Sequence, residues 1–399
     1  MWQTYLCKTT SGQLIEPIDI PKFSWDLTIS DFSLTTDTDK DVAKEDVSGL
    51  TVPWGAVPGD DPASRSSALS PLRRSICLFW VTDQNLTDAT IGTPIMFGVI
   101  KPRTDTRLDT SFGVMGMASF LDYRQCVREN KFGTSTGGTS KDVISYNNLS
   151  YRGIVSNLGV IATSSKPGGS LPIDWQYTNE KGTRQRNYNA YDVQNISMSD
   201  IMTKIANVEN GPDMTFRPYL SGNTVRMKFL AGSDADIYIE QSNMNTFNSF
   251  DGGGNIDNIE IDHAWPIMRY YTTGAGSDDS TLCYLAEDKT LLELSDPWPL
   301  VESTYSDTDT SNYTVLKQHG NAKLAYRKRP IMQISGKIDF NDSGTPEPGE
   351  IWPGDLVQLS IQDFPTLPDG VYSCRLMEMS GDQTDVATLT FDIMENPIY

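Results

Sequence analysis

Short runs of alternating apolar and polar residues dominate both ends of the chain, and a helical period appears mainly between them. Phe23, Trp25, Leu27 and Ile29 alternate with Ser24, Asp26 and Thr28, the period-2 pattern of a strand with one buried face. Trp2–Lys8 and Gln13–Ile18 flank Thr10-Ser11-Gly12, which predicts a hairpin. Ile76–Val81, Ile95–Ile100 and Phe112–Phe120 supply three further strands. Toward the other end, Ile256–Ile261, Ile267–Tyr271, Leu356–Ile361, Val371–Met379 and Val386–Met394 read as strands. Met332, Ile334, Ile338 and Phe340 share one face of another.

Between these β regions, Tyr151, Ile154, Val155, Leu158 and Ile161 fall on one helical stripe, inside a stretch from Arg128 to Asn189 that is rich in Gly, Ser, Thr and Asn. The strongest helix signal follows. Ser197 is an N-cap, Asp200 stands three residues later, and Met198, Ile201, Met202, Ile205 and Val208 keep helical spacing until Asn210-Gly211-Pro212. Met214–Leu220 and Thr224–Leu230 then predict a hairpin turned at Ser221-Gly222-Asn223. A further helix over Tyr313–Tyr326, basic at its end, stops at Pro330. The polar stretch from Thr35 to Ser70 reads as an interaction arm or a disordered loop. No repeat of solenoid period is present.

Length and composition add bounds. At 399 residues the chain is long enough for two to four domains, and 38% hydrophobic residues suffice to build cores. A net charge of −20 argues against nucleic-acid binding and against an anionic membrane surface. Cys7, Cys77, Cys126, Cys283 and Cys374 are scattered with no CxxC pair, so free thiols in a reducing cytoplasm are expected, not disulfides. Met1-Trp2-Gln3-Thr4-Tyr5 has neither a basic nor an apolar leader pattern, and the longest apolar runs are strand-sized. A soluble protein made in the cytoplasm, without membrane insertion, is the expectation.

The search for chemistry yields little. Any triad or zinc site based on histidine must use His263 or His319, the two in the sequence. Gly133-Thr134-Ser135-Thr136-Gly137 has the spacing of a nucleophile elbow. That elbow needs a buried strand before it and an apolar helix after it, whereas polar residues flank it here. Asp37, Asp39 and Asp41 alternate like calcium-loop ligands, but Val42 and Ser48 occupy the places that require Gly and Glu. They and Asp307-Thr308-Asp309 are read as solvated loops, with loose calcium binding as the alternative. Trp54 and Trp175 lie in polar stretches, where they either stack on sugars or pack on their own loops. We expect no enzyme: no catalytic, cofactor-binding or metal-ligating residue is assigned.

Three stretches carry a resemblance. Ser199 to Pro218 gives a helix, a turn at Asn210-Gly211-Pro212 and a strand. Trp352-Pro353-Gly354-Asp355-Leu356-Val357-Gln358-Leu359 opens a closing β segment that ends at Asp385–Ile393. Gly92–Ile100 follows an apolar strand. In this order they resemble the minor tail proteins of siphovirus-type phages of actinobacteria, the baseplate or tail-tip hub family. Asn210 replaces a common glycine and tolerates the left-handed turn required.

The resemblance implies a mainly β fold with α+β parts: two β-barrel domains plus smaller α/β domains. On that analogy residues 1–125 form an N-terminal barrel and residues 126–255 a middle α/β domain. Residues 256–399 form a second barrel with a helical insertion at about 291–330. It further implies a structural virion protein at the tail tip. A homotrimer would meet the distal tail protein hexamer, the tape measure protein and other tail-tip proteins, and genomic DNA would cross its lumen without specific binding. A receptor- or carbohydrate-binding tail protein is the alternative reading.

Overall fold

The computed structural model describes residues 1–29, 45–208, 210–241, 243–250, 253–308 and 310–394. The fold is mainly β, with short helices set among the sheets.

The first region is a sheet built from β1 (Trp2–Lys8), β2 (Leu14–Pro17), β3 (Ser24–Thr28), β4 (Glu45–Pro53), β5 (Arg74–Trp80), β6 (Thr93–Ile100), β7 (Thr104–Asp105) and β8 (Asp109–Gly116). Short helices α1 (Pro62–Ala68), α2 (Asp83–Asp88) and α3 (Met117–Phe120) join or follow them. β1 and β2 form the expected hairpin, and Trp25 and Leu27 on β3 are buried as their alternation predicts. The polar stretch 35–70 is a correction. Its part from residue 45 holds β4, which lies between β3 and β8 in the sheet, and then α1; residues 35–44 lie outside the described residues. A bulge between Val47 and Leu50 breaks the period of β4 and hides it from a pattern reading. The strand expected over Phe112–Phe120 ends at Gly116, where a Cβ would lie 2.6 Å from the Glu45 carbonyl oxygen.

The middle region contains a ribbon of β9 (Val143–Leu149) with β11 (Lys181–Asn189). A small sheet pairs β10 (Ile173–Trp175), β13 (Thr224–Ala231) and β12 (Met214–Ser221). Helix α4 (Tyr151–Ala162) is capped by Ser150, and α5 (Met198–Ala206) by Ser197, whose hydroxyl accepts from the Asp200 N–H at 3.1 Å. Both helices bury their predicted stripes except Ile161 and Val208, which are half-buried, Val208 lying past the end of α5; one core joins Ile154, Leu158, Ile201 and Phe216 to Cys7, Phe79 and Val99 of the first sheet.

The last region supplies β14 (Asn245–Phe250), β15 (Gly253–Gly254) and β16 (Asp257–Ala264), then β17 (Arg269–Thr273), β18 (Cys283–Glu287) and β19 (Glu302–Ser306). Helix α6 (Tyr313–Arg327), β20 (Ile331–Asp339), β21 (Leu356–Ile361), β22 (Gly370–Asp382) and β23 (Val386–Ile393) complete it. β17, β18 and β19 form a separate sheet, and Tyr270 and Ala286 bury against Leu324 of α6. Residues 269–287, which the sequence reading gave to the second barrel, therefore belong with the helix inserted between β16 and β20.

β22 splices the molecule. One edge pairs with β23; the other pairs first with β21 and then with β3. At the break, Gly354 N–H donates to the Leu376 carbonyl (2.7 Å) and Ile29 N–H to the Met377 carbonyl (3.0 Å). First and last regions thus become one sheet of 15 strands with a common core running from Leu6 and Trp25 to Phe247 and Phe391. Among the described residues neither half closes into a barrel. β22 uses its second edge on two partners in series, and β2 ends the sheet as a four-residue strand closed by Pro17, which has no N–H to donate.

Candidate functional site

Two of the stretches behind the family resemblance meet in space. After α5 the chain turns at Asn210, with φ +58°, and Gly211. A Cβ on Gly211 would lie 2.4 Å from the Ala206 carbonyl oxygen, so the turn admits no side chain there. It delivers Asp213, only 2% exposed, to the guanidinium of Arg375 on β22. Arg375 also stacks over the Tyr238 ring, 5.1 Å from its centroid. Two turns of the alternation later, Arg217 on β12 donates to Asp355 at 2.9 Å and stands 5.4 Å from the Trp352 ring. The Trp352-Pro353-Gly354-Asp355 turn holds this carboxylate, which accepts the Trp352 N–H at 2.9 Å. Burial pushes the Asp355 carboxyl up, and the Arg217 charge pulls it back.

The result is a crossed pair of ion pairs: the middle region gives an acid and a base, and the last region gives a base and an acid. An open cleft of about 410 Å3 lies beside them, lined by Arg217, Glu240, Gln241, Glu350, Trp352 and Asp355 among others. Gln241 clasps the end of β21, donating to the Leu356 carbonyl (2.8 Å) and accepting its N–H (2.5 Å). The arrangement neutralises four charges and fixes orientation. It pairs no nucleophile with a base.

A second feature is the polar side of the spliced sheet. Opposite residues in antiparallel strands share a face. Register therefore aligns Glu260, Ser335, Thr390, Glu378 and Thr28 in one row across β16, β20, β23, β22 and β3. A second row runs Asp262, Gln333 and Asp392, and a third Lys337, Thr388, Ser380, Asp26 and Asp46. None of these side chains is buried. Asp46 is held by Lys101 at 3.0 Å.

The other residues singled out by sequence fall elsewhere. Ser135 sits in a loop, its N–H on the Thr139 carbonyl, ahead of a single 3-10 turn at Thr136–Gly138. The strand–turn–helix of a nucleophile elbow is not formed there. His263 is exposed on β16 opposite Met332. The Nδ1 of His319 lies 2.8 Å from Asp307, tying α6 to the end of β19. Asp37, Asp39, Asp41 and Asp309 lie outside the described residues. Among the described residues no group of three or more His, Cys, Asp or Glu is arranged to hold a metal ion. None of the described helices is long and apolar enough to cross a membrane. The five cysteines are free, and Cys283 alone is exposed.

Both tryptophans weighed for sugar stacking are half-buried and packed against their own neighbours. Trp54 donates to the Thr106 carbonyl at 2.8 Å and lies under Arg103. Trp175 donates to Thr163 and sits 5.1 Å from Phe229 and 5.7 Å from Phe216, against Gly159. The reading missed Arg375. It lies in a predicted strand, but nothing in a sequence couples it to an aspartate 162 residues away.

No protein-family model matches this sequence, and no curated protein matches it. Solved structures do resemble it. A 43 kDa tail protein of prophage MuSo2 from Shewanella oneidensis aligns over 98% of both chains at 9% identity, with a TM-score of 0.50. A tail protein from Neisseria meningitidis MC58 aligns over 98% of this chain and 97% of its own, at 12% identity and a TM-score of 0.49. Over nearly its whole length, this chain is thus similar in fold to a prophage tail protein.

Proposed function

We propose that the chain is a structural, non-catalytic subunit of a bacteriophage tail tip or baseplate, of the long-tailed siphovirus kind. Three copies form a ring that joins the distal tail protein hexamer and tail tube to the host-contacting tip. The tape measure protein and other tip proteins are its neighbours, and genomic DNA crosses the centre without specific binding. The spliced sheet carries this reading. Two regions of the chain present one continuous polar face with Glu260, Asp262, Glu378, Asp392, Asp26 and Asp46, and a face rich in carboxylates repels a passing polyanion. The fold it shares with a prophage tail protein supports the same reading.

Electron microscopy of the purified chain, alone and with the phage's distal tail protein, tests it. Threefold rings with an open centre are the expected result. Compact monomers under both conditions would sink the proposal. The carbohydrate-binding alternative is less favoured at Trp54 and Trp175, because both rings are half-buried against their own neighbours.

A further inference from the structure

Net charge is distributed unevenly along the chain. Residues 245–399 hold 25 Asp and Glu against 9 Lys and Arg, whereas residues 124–244 hold 11 against 13. Copies of a chain at −20 repel one another unless one side of each contact is poor in carboxylates.

The β9–β11 ribbon is such a surface. Its inner side lies over α4, where Arg184 and Arg186 stand 4.4 and 5.2 Å from the Tyr151 ring. Its outer side, fixed by the pairing of Gln185 with Asn147 and Asn187 with Ser145, is exposed and carries no carboxylate in either strand. Exposed Lys181 lies at one end of the ribbon, and Lys141, two residues before Val143 and also exposed, at the other. The two carboxylates that adjoin the ribbon are held by arginines: Asp142 by Arg128, and Glu180 by Arg152 at 2.6 Å. A two-stranded ribbon with one face open is marginal alone and gains from being covered.

We propose that the outer face of the β9–β11 ribbon is one side of the contact between copies of this chain. It docks on the acidic last region of the next copy, with Lys141 and Lys181 against carboxylates. The inference rests on the ring reading above, and it names the surface that closes the ring. Such a contact is heterologous: each copy offers its ribbon to one neighbour and its acidic region to the other.

The test uses the full chain with the distal tail protein. Labelled and unlabelled copies are mixed and treated with a carbodiimide, which joins a lysine amine directly to a touching carboxylate. Expected are mixed-isotope links from Lys141 or Lys181 to carboxylates of the last region. Assembly should weaken roughly tenfold in Lys141→Glu/Lys181→Glu, and also between about 0.05 and about 0.5 M salt. Both substitutions are at exposed positions, and circular dichroism checks that the variant is folded. Rings that form equally well in the variant, with links elsewhere, would overturn the ribbon contact and leave the ring reading standing. Retention of the chain on a heparin matrix through these lysines, without links between copies, would overturn it in favour of an anionic ligand. Monomers at every salt concentration, with or without the distal protein, would overturn the ring reading and this inference together.

Discussion

Where the first strands meet the last, Trp2 packs against Trp25 and Trp80 with ring centroids 5.2 and 5.0 Å apart, and Phe340 closes on Trp80 at 5.2 Å. Where the middle region meets the same last strands, the contact is made by Asp213, Arg375, Arg217 and Asp355. The first seam is apolar and non-directional, so its strength follows buried area. The second takes charges out of water, and Coulomb attraction in a buried pair does little more than offset that cost. It adds little net stability and fixes how the segment from Asp213 to Arg217 sits on the last region. An apolar seam holds regions together, and an ionic one decides how they sit.

The sharpest way to break this contrast is a double-mutant cycle on the ionic seam. Asp213→Leu leaves Arg375 buried without its main partner and should cost about 3–5 kcal/mol, as should Arg375→Met. The double variant should recover most of that loss in urea unfolding, because no unpaired charge remains. A double variant as unstable as either single one would show that the pair is a strong net stabiliser, and losses that simply add would show that the two side chains are not coupled.

Phe340→Ala probes the apolar seam and should cost about 3 kcal/mol, with no partner substitution able to restore it except a larger side chain nearby. A loss below about 1 kcal/mol would mean that the tryptophans close the gap by themselves.

The smallest expected effect concerns Glu45, buried on β4 opposite Leu27 with one carboxylate oxygen unpartnered. Burial pushes its carboxyl well up, and neighbouring Asp46 adds to the shift. A raised carboxyl favours the protonated folded state. Its contribution is therefore full below the unfolded value, about 4.3, and is lost as pH rises through the folded one. Glu45→Gln keeps the neutral shape, so it should stabilise by on the order of 1 kcal/mol at pH 8 and change little at pH 4. Equal melting temperatures at both pH values would remove Glu45 from the account.

Much of the fold was legible because the relevant signals are local. The Ser197 cap and the stripe of α5 appear where expected, as do the hairpins and the strands from Leu356 onward. The elements that escaped lack a clean period. β4 is interrupted by its bulge, and β9 and β11 are Asn-, Ser- and Arg-rich strands that bury little beyond Ile144 and Leu149. The crossed pairs were half visible. Asp213, Arg217 and Asp355 stand inside the stretches that resemble tail hubs, but Arg217 and Asp355 are 138 residues apart and only tertiary packing unites them.

The splice at β22 has a consequence for the order of events during synthesis. β3 ends at Thr28, yet its second neighbour, β22, begins at Gly370, and the Trp25 indole donates to a carbonyl 357 residues away. Contacts this distant in sequence close slowly. The edge of β3 emerges from the ribosome early and waits, unpaired on that side, for almost the entire remaining chain. During that interval it is a template for wrong strands, and a product that stops before residue 370 never covers it. Complete translation thus acts as a checkpoint, because a shortened chain cannot finish the sheet from which an assembly would be built.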